Sequence, residues 1–218
     1  MEPITFTTDD GVVLEGELRL PDGEARGSAV LCHPHPQHGG SKDHPILWAL
    51  RNELAGRRGL AVLAFNFRGV MGSGGAYGGG HEEVRDARAA IGRVREAAPG
   101  RPTAVCGWSF GASVAVREAL DDPRVAALAL LGVPLRPGDV RLPPLPGRTQ
   151  RSALGLPVLV LVGDEDEYSP VEDARAFAAD FPAGRLHVVD DAGHYLSRRE
   201  REAAAVAGEF VDEVLAGT

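Results

Sequence analysis

The apolar residues of this 218-residue chain change rhythm near residue 23, and that change narrows the folds open to it. Before it, segments 4–7 and 12–20 are β-rich and alternate, with Asp9-Asp10-Gly11 between them. That is the pattern of a hairpin with a tight turn. After Pro21-Asp22-Gly23, short continuous apolar runs take turns with longer amphipathic stretches. The runs cover 28–32, 60–65, 103–106, 125–131, 158–162 and 186–189. Runs that are apolar at every residue suit strands covered on both faces, as in a parallel sheet. The stretches at 45–57, 81–97, 109–120, 171–181 and 199–215 are the helix candidates. Leu47, Leu50 and Leu54 in the first, and Val84, Ala87, Ala90, Ile91 and Val94 in the second, recur at helical spacing. Strand then helix, repeated, predicts an α/β fold with a mostly parallel sheet. No internal repeat or linker splits the chain, so 1–218 is expected to be a single domain, long enough to bury a full core.

Charge and composition limit the partners. The net charge is −8, and every basic residue except Lys42 is an arginine scattered among acids. Nothing resembles a basic stripe, so neither nucleic acid nor an anionic membrane surface is expected as a partner. No apolar run approaches the roughly 18 residues of a membrane span. The start, MEPITFTTDDG, has no apolar core of the kind a leader peptide carries. A cytoplasmic location is expected. Cys32 and Cys106 then read as reduced, buried thiols. Two segments stand apart. The glycine-rich 69–80 should be a mobile loop, and 134–157, with six prolines, an irregular excursion between two strands.

The strongest chemical signal is Gly107-Trp108-Ser109-Phe110-Gly111, which follows an apolar run and opens a helical stretch. A Gly-x-Ser-x-Gly turn sets its serine on a sharp strand-to-helix bend, where flanking side chains would clash. A serine hydroxyl needs a base, and the base needs an orienting acid. Downstream, 158–162 ends in Gly163-Asp164-Glu165-Asp166-Glu167, and 186–189 runs into Asp190-Asp191-Ala192-Gly193-His194. His194 is the candidate base. Alternate side chains of an extended loop start point the same way, so Asp164 and Asp166 are the competing acids. The developing oxyanion needs two N–H donors. One is expected from Phe110, the residue after the serine. The other is expected from the loop His33-Pro34-His35-Pro36-Gln37-His38-Gly39-Gly40, where His35 has the only main-chain N–H between two prolines.

Together these segments resemble the α/β-hydrolase superfamily, and most of all its small, capless, dienelactone-hydrolase-like members. The markers are HPHPQHGGS at 33–41, FNFRGV at 65–70, GWSFGA at 107–112, GDEDEYSP at 163–170 and AGHY at 192–195. The resemblance implies an eight-stranded, mostly parallel sheet with helices on both faces and no real cap. It implies a serine hydrolase that cleaves an ester or related acyl bond through an acyl-enzyme, without cofactor or metal, on a small-molecule acyl substrate. Its spacing of the acid before a proline selects Asp166, giving Ser109, His194 and Asp166 as catalytic residues, with Phe110 and His35 as oxyanion donors. The pocket would be built from 35–42, 69–80 and 134–157. Asn66, Arg68 and Gly69 would hold loop geometry, and Trp108 and Tyr195 would line the pocket or pack beside it.

Two other readings compete. A catalytically silent scaffold of the same fold would use the pocket for binding alone. A metallohydrolase would use His33, His35 and His38 as zinc ligands, with Gln37 standing where such runs carry an acid.

Overall fold

The computed structural model describes residues 2–138 and 142–217. The changes of rhythm in the sequence coincide with its elements. β1 (Glu2–Thr7) and β2 (Val13–Arg19) form the antiparallel hairpin, and β2 pairs antiparallel with β4 (Ala61–Phe65). The remaining strands are parallel: β3 (Ser28–Cys32), β5 (Thr103–Trp108), β6 (Val125–Leu131), β7 (Val158–Gly163) and β8 (Gly184–Val189). They make one eight-stranded sheet in the order β1-β2-β4-β3-β5-β6-β7-β8.

Period-two alternation divides each buried strand between the two faces. Val30, Val105, Leu128, Leu130, Val158, Val160 and Val162 belong to one core. That face is covered by α2 (Glu83–Arg95), α3 (Phe110–Glu118) and α5 (Val171–Ala179). Ala29, Leu31, Ala104, Ala127, Ala129, Leu159 and Leu161 belong to the other, under α1 (Pro45–Gly56) and α6 (Glu200–Ala216). The small alanines on this second face suit close helix approach.

The same alternation decides the cysteines. Cys32 packs in the first core and Cys106 in the second, although Leu31 and Cys106 are register partners on neighbouring strands. Their side chains leave opposite faces of the sheet, which no disulfide spans. Both thiols are free and buried, and burial pushes Cys106 up to about 12 and Cys32 higher still.

Two expectations need correction. The 134–157 excursion is not wholly irregular, because α4 (Arg148–Ala153) forms within it; residues 139–141 lie outside the described residues. α4 has no buried residue and hence no apolar stripe to betray it; Arg148 and Arg151 tie it to Asp180 instead. The 69–80 loop, expected to be mobile, is stitched down. Gly69 N–H donates to Gly74 O (2.9 Å), Gly74 N–H to Val13 O (2.8 Å), and Gly78 and Gly80 N–H to the buried Glu83 carboxylate (2.7 and 2.8 Å). Among the described residues no cap domain covers the C-terminal ends of the parallel strands. Among the described residues no helix is long and apolar enough to cross a membrane.

Candidate active site

Ligand sites in open α/β sheets lie beyond the carboxyl ends of the strands, and the chemistry-bearing residues gather there. Ser109 follows β5 and takes φ 55°, ψ −117°, a left-handed backbone rare outside glycine. The flanking glycines make that bend possible. A Cβ on Gly107 would lie 2.4 Å from Gly111 O, and one on Gly111 would lie 2.1 Å from Cys32 O. Ser109 N–H donates to Leu131 O (2.8 Å), so the bend is anchored to β6.

Ser109 Oγ lies 2.9 Å from His194 Nε2, and His194 Nδ1 lies 3.0 and 3.1 Å from the Asp166 carboxylate oxygens. Asp166 Oδ1 also accepts the N–H groups of Tyr168 (2.9 Å) and Ser169 (3.0 Å), which orient the carboxylate. With the acid ionised, the proton of neutral His194 sits on Nδ1, leaving Nε2 as acceptor for the serine hydroxyl. Asp164 is spent elsewhere: its Oδ1 accepts Ala192 N–H at 3.0 Å, which holds it below the usual carboxylate range. Gly163 lets the acid and base loops meet, since a Cβ there would lie 2.0 Å from Ala192 O. Gly132, not singled out in the sequence, has φ 51°; its Cβ would lie 3.3 Å from the His194 ring.

The structure also brings Phe110 and His35 to this site. Phe110 is the first residue of α3, so its N–H has no acceptor within the helix. His35 precedes a short 3-10 turn, Pro36–His38, and its carbonyl accepts His38 and Gly40 N–H, both at 3.0 Å. Gly40 is required there, because a Cβ would lie 2.1 Å from Pro34 O. The next residues are pinned as well: Lys42 N–H donates to Asn66 Oδ1 (2.8 Å), and Asn66 Nδ2 donates to Glu15 (2.7 Å). Arg68 is clasped by Asp86 and Asp10. Asn66 and Arg68 therefore shape loops.

The imidazoles of the 33–38 run do not converge as a metal set. His33 Nε2 accepts Phe67 N–H (3.0 Å), and its Nδ1 donates to Pro34 O (2.6 Å). His35 Nδ1 accepts Gln37 N–H (3.2 Å), and its Nε2 meets Tyr77 Oη (2.9 Å). Both rings are therefore engaged at both nitrogens. Burial holds both at about 4, with the His38 ring as a further cause at His35.

Ser109 and His194 open into a cavity of about 740 Å³. One wall comes from the 34–44 segment, including His38 and His44; the other comes from 134–138 and 142–145. Trp108 and Tyr195 line it, and Tyr168, which the sequence did not mark, lines it with its ring 4.9 Å from that of His194. The 69–80 loop, expected in the lining, stands behind His35 instead.

A family model described as "Serine aminopeptidase, S33" matches residues 23–147. An α/β serine hydrolase homologue from Coxiella burnetii is 28% identical, over 95% of this chain and 96% of its own, with a TM-score of 0.80. An α/β serine hydrolase without a lid from Xanthomonas campestris is 25% identical, over 100% of this chain and 96% of its own, with a TM-score of 0.82. The monoacylglycerol lipase of Mycolicibacterium smegmatis is 27% identical over 89% of this chain and 72% of its own length.

Proposed function

Since this chain belongs to the serine aminopeptidase family whose model it matches, within the capless α/β serine hydrolases, we propose that it hydrolyses an ester or related acyl bond of a small-molecule substrate, with Ser109 as nucleophile. The observation that carries this reading is the hydrogen-bonded chain from Ser109 Oγ through His194 to Asp166. Ser109 Oγ attacks the carbonyl carbon while His194 Nε2 takes its proton. Asp166 stabilises the imidazolium and keeps the ring oriented. Negative charge develops on the former carbonyl oxygen and is met by the N–H groups of Phe110 and His35. His194 then protonates the leaving oxygen, and water, activated by the same ring, releases the acyl group from Ser109.

An ester is favoured over the α-amino amide that the family's name suggests. The similarity to a monoacylglycerol lipase over 89% of this chain supports that choice. The cavity volume suits small or medium acyl groups. The open access would also admit thioesters and lactones.

The test is covalent. A fluorophosphonate probe should label the wild type at Ser109, and a panel of p-nitrophenyl esters of increasing chain length should be turned over. Hydrolysis that survives in a folded Ser109→Ala protein would overturn the assignment. A wild type that is neither labelled nor active on any ester would favour the silent scaffold.

A further inference from the structure

We propose that Tyr77, in the glycine-rich loop, is a positioning residue that holds His35 in place as an oxyanion donor. The inference rests on the reading of His35 and Phe110 given under Proposed function.

The loop delivers Tyr77 to a defined place. Gly69 has φ 75°, and a Cβ there would come within 2.9 Å of Tyr77 N, so only glycine lets the loop fold back this closely. On the other side of Tyr77, the buried Glu83 carboxylate accepts the N–H groups of Gly78 and Gly80. Tyr77 thus stands between two anchored points.

There it meets both proposed donors. His35 Nδ1 accepts Gln37 N–H, so the ring proton is on Nε2 and the Tyr77 oxygen accepts it at 2.9 Å. The three rings close a triangle: His35 to Tyr77 5.0 Å, His35 to Phe110 5.1 Å, and Tyr77 to Phe110 6.0 Å between centroids. The side chains behind the two N–H groups therefore pack on each other and on Tyr77. The His35 main chain is held from both ends, by prolines on either side and by a ring tethered at its far nitrogen. Tyr77 stands outside the residues that line the cavity and meets the site through His35 and Phe110.

The test is a double-mutant cycle on p-nitrophenyl butyrate, with the thermal midpoint recorded for each protein. Tyr77→Phe keeps the ring and removes the hydroxyl. It should lower kcat by roughly three- to tenfold, the worth of one hydrogen bond, with KM unchanged. His35→Ala should lose a similar factor, because its N–H remains but its tether is gone, and the double variant should lose no more than the larger single loss. Affinity for an alkyl trifluoromethyl ketone, which forms a tetrahedral adduct on the serine, should fall in step with kcat. An unchanged kcat in Tyr77→Phe, losses that multiply in the double variant, or a rise in KM alone would each overturn the proposal. Nitrogen-15 spectra of the wild type give a check that needs no variant: His35 should carry its proton on Nε2, and the other tautomer would also overturn it. Failure of the underlying reading is seen separately, as activity that survives Ser109→Ala.

Discussion

The two halves of the site are held in place by different means. Ser109, His194 and Asp166 stand on loops shaped by main-chain sterics. The serine's left-handed backbone depends on Gly107 and Gly111, and the approach of the acid and base loops depends on Gly163. His35 shares one such steric requirement, at Gly40, and adds to it a side-chain tether to a tyrosine 42 residues away in sequence. Steric support admits no partial loss, because a Cβ at 2.1 Å from a carbonyl oxygen cannot be accommodated without moving a strand. Side-chain support is graded, since one hydrogen bond out of several can be removed. Substitutions in the first half should therefore act as near all-or-none changes, and those in the second as modest factors.

The sharpest way to break this contrast is at the serine. Ser109→Ala should lower kcat by roughly 10⁶ while leaving the fold intact, as removal of a nucleophile does elsewhere. Asp166→Asn should follow at roughly 10⁴, because the amide favours the wrong imidazole tautomer. Both are measured as ester hydrolysis beside circular dichroism. A loss of only a few-fold in either would place the first half in the graded class.

Gly111→Ala tests the steric claim itself. The added Cβ would meet the Cys32 and His33 carbonyl oxygens at 2.1 and 2.6 Å, with no flexible side chain to yield. The expected outcome is a loss of more than about 4 kcal/mol in urea unfolding, the range reserved for core overpacking and strain, or no soluble protein at all.

The first half was the legible one. A serine between two glycines after an apolar run carries its geometry locally, and His194 and the acidic stretch follow their own strands. The parallel sheet was legible for the same reason: β3, β4, β5 and β7 are buried at every residue. The second half was legible only as far as His35, through its flanking prolines. Tyr77 and Gly132 carry no local signal, because their importance lies in contacts that exist only once distant loops meet. Composition alone misread the 69–80 loop. Its glycines serve close approach and bonding to Glu83, not mobility. α4 was hidden by its lack of an apolar face.

A smaller effect probes the support beneath the loop that carries His35. His33 is fully buried and neutral, and burial holds it at about 4 against an ordinary 6.5. Between those values the unfolded chain binds a proton that the folded one refuses, so its contribution is complete above pH 6.5 and falls away towards pH 4. His33→Gln removes that dependence. The stability gap between wild type and variant, from urea unfolding, should narrow by at most about 3 kcal/mol as pH falls across the window. Taking the difference cancels the opposite trend of Glu118, which burial raises to about 7. A constant gap would mean that the folded chain takes up a proton at His33 as readily as the unfolded one.

The smallest effect separates two acids that stand two residues apart. Asp164 and Asp166 both follow β7, but they do different work. Asp166 reaches the His194 ring, whereas Asp164 reaches the Ala192 N–H at the base of the loop that carries it. An asparagine at 164 keeps an oxygen for that N–H, so Asp164→Asn should cost roughly tenfold in kcat at most, far below the roughly 10⁴ expected of Asp166→Asn. Asp164→Ala removes the acceptor and leaves the 190–194 loop on its remaining bonds, from Glu165 N–H to Ala192 O (2.9 Å) and from Trp108 Nε1 to His194 O (3.2 Å). It should cost more than Asp164→Asn, while fluorophosphonate labelling of Ser109 persists because the His194–Asp166 pair is intact. That order, Asn milder than Ala at 164 and Asn crippling at 166, is what a loop tether and a proton-orienting acid require. If Asp164→Asn proved the crippled variant, the acid would have been assigned to the wrong side of the loop. If Asp164→Ala matched Asp164→Asn, the loop would owe its position to the close approach at Gly163 and to the bonds that Glu165 N–H and Trp108 Nε1 donate to Ala192 O and His194 O, and it would need no tether from Asp164.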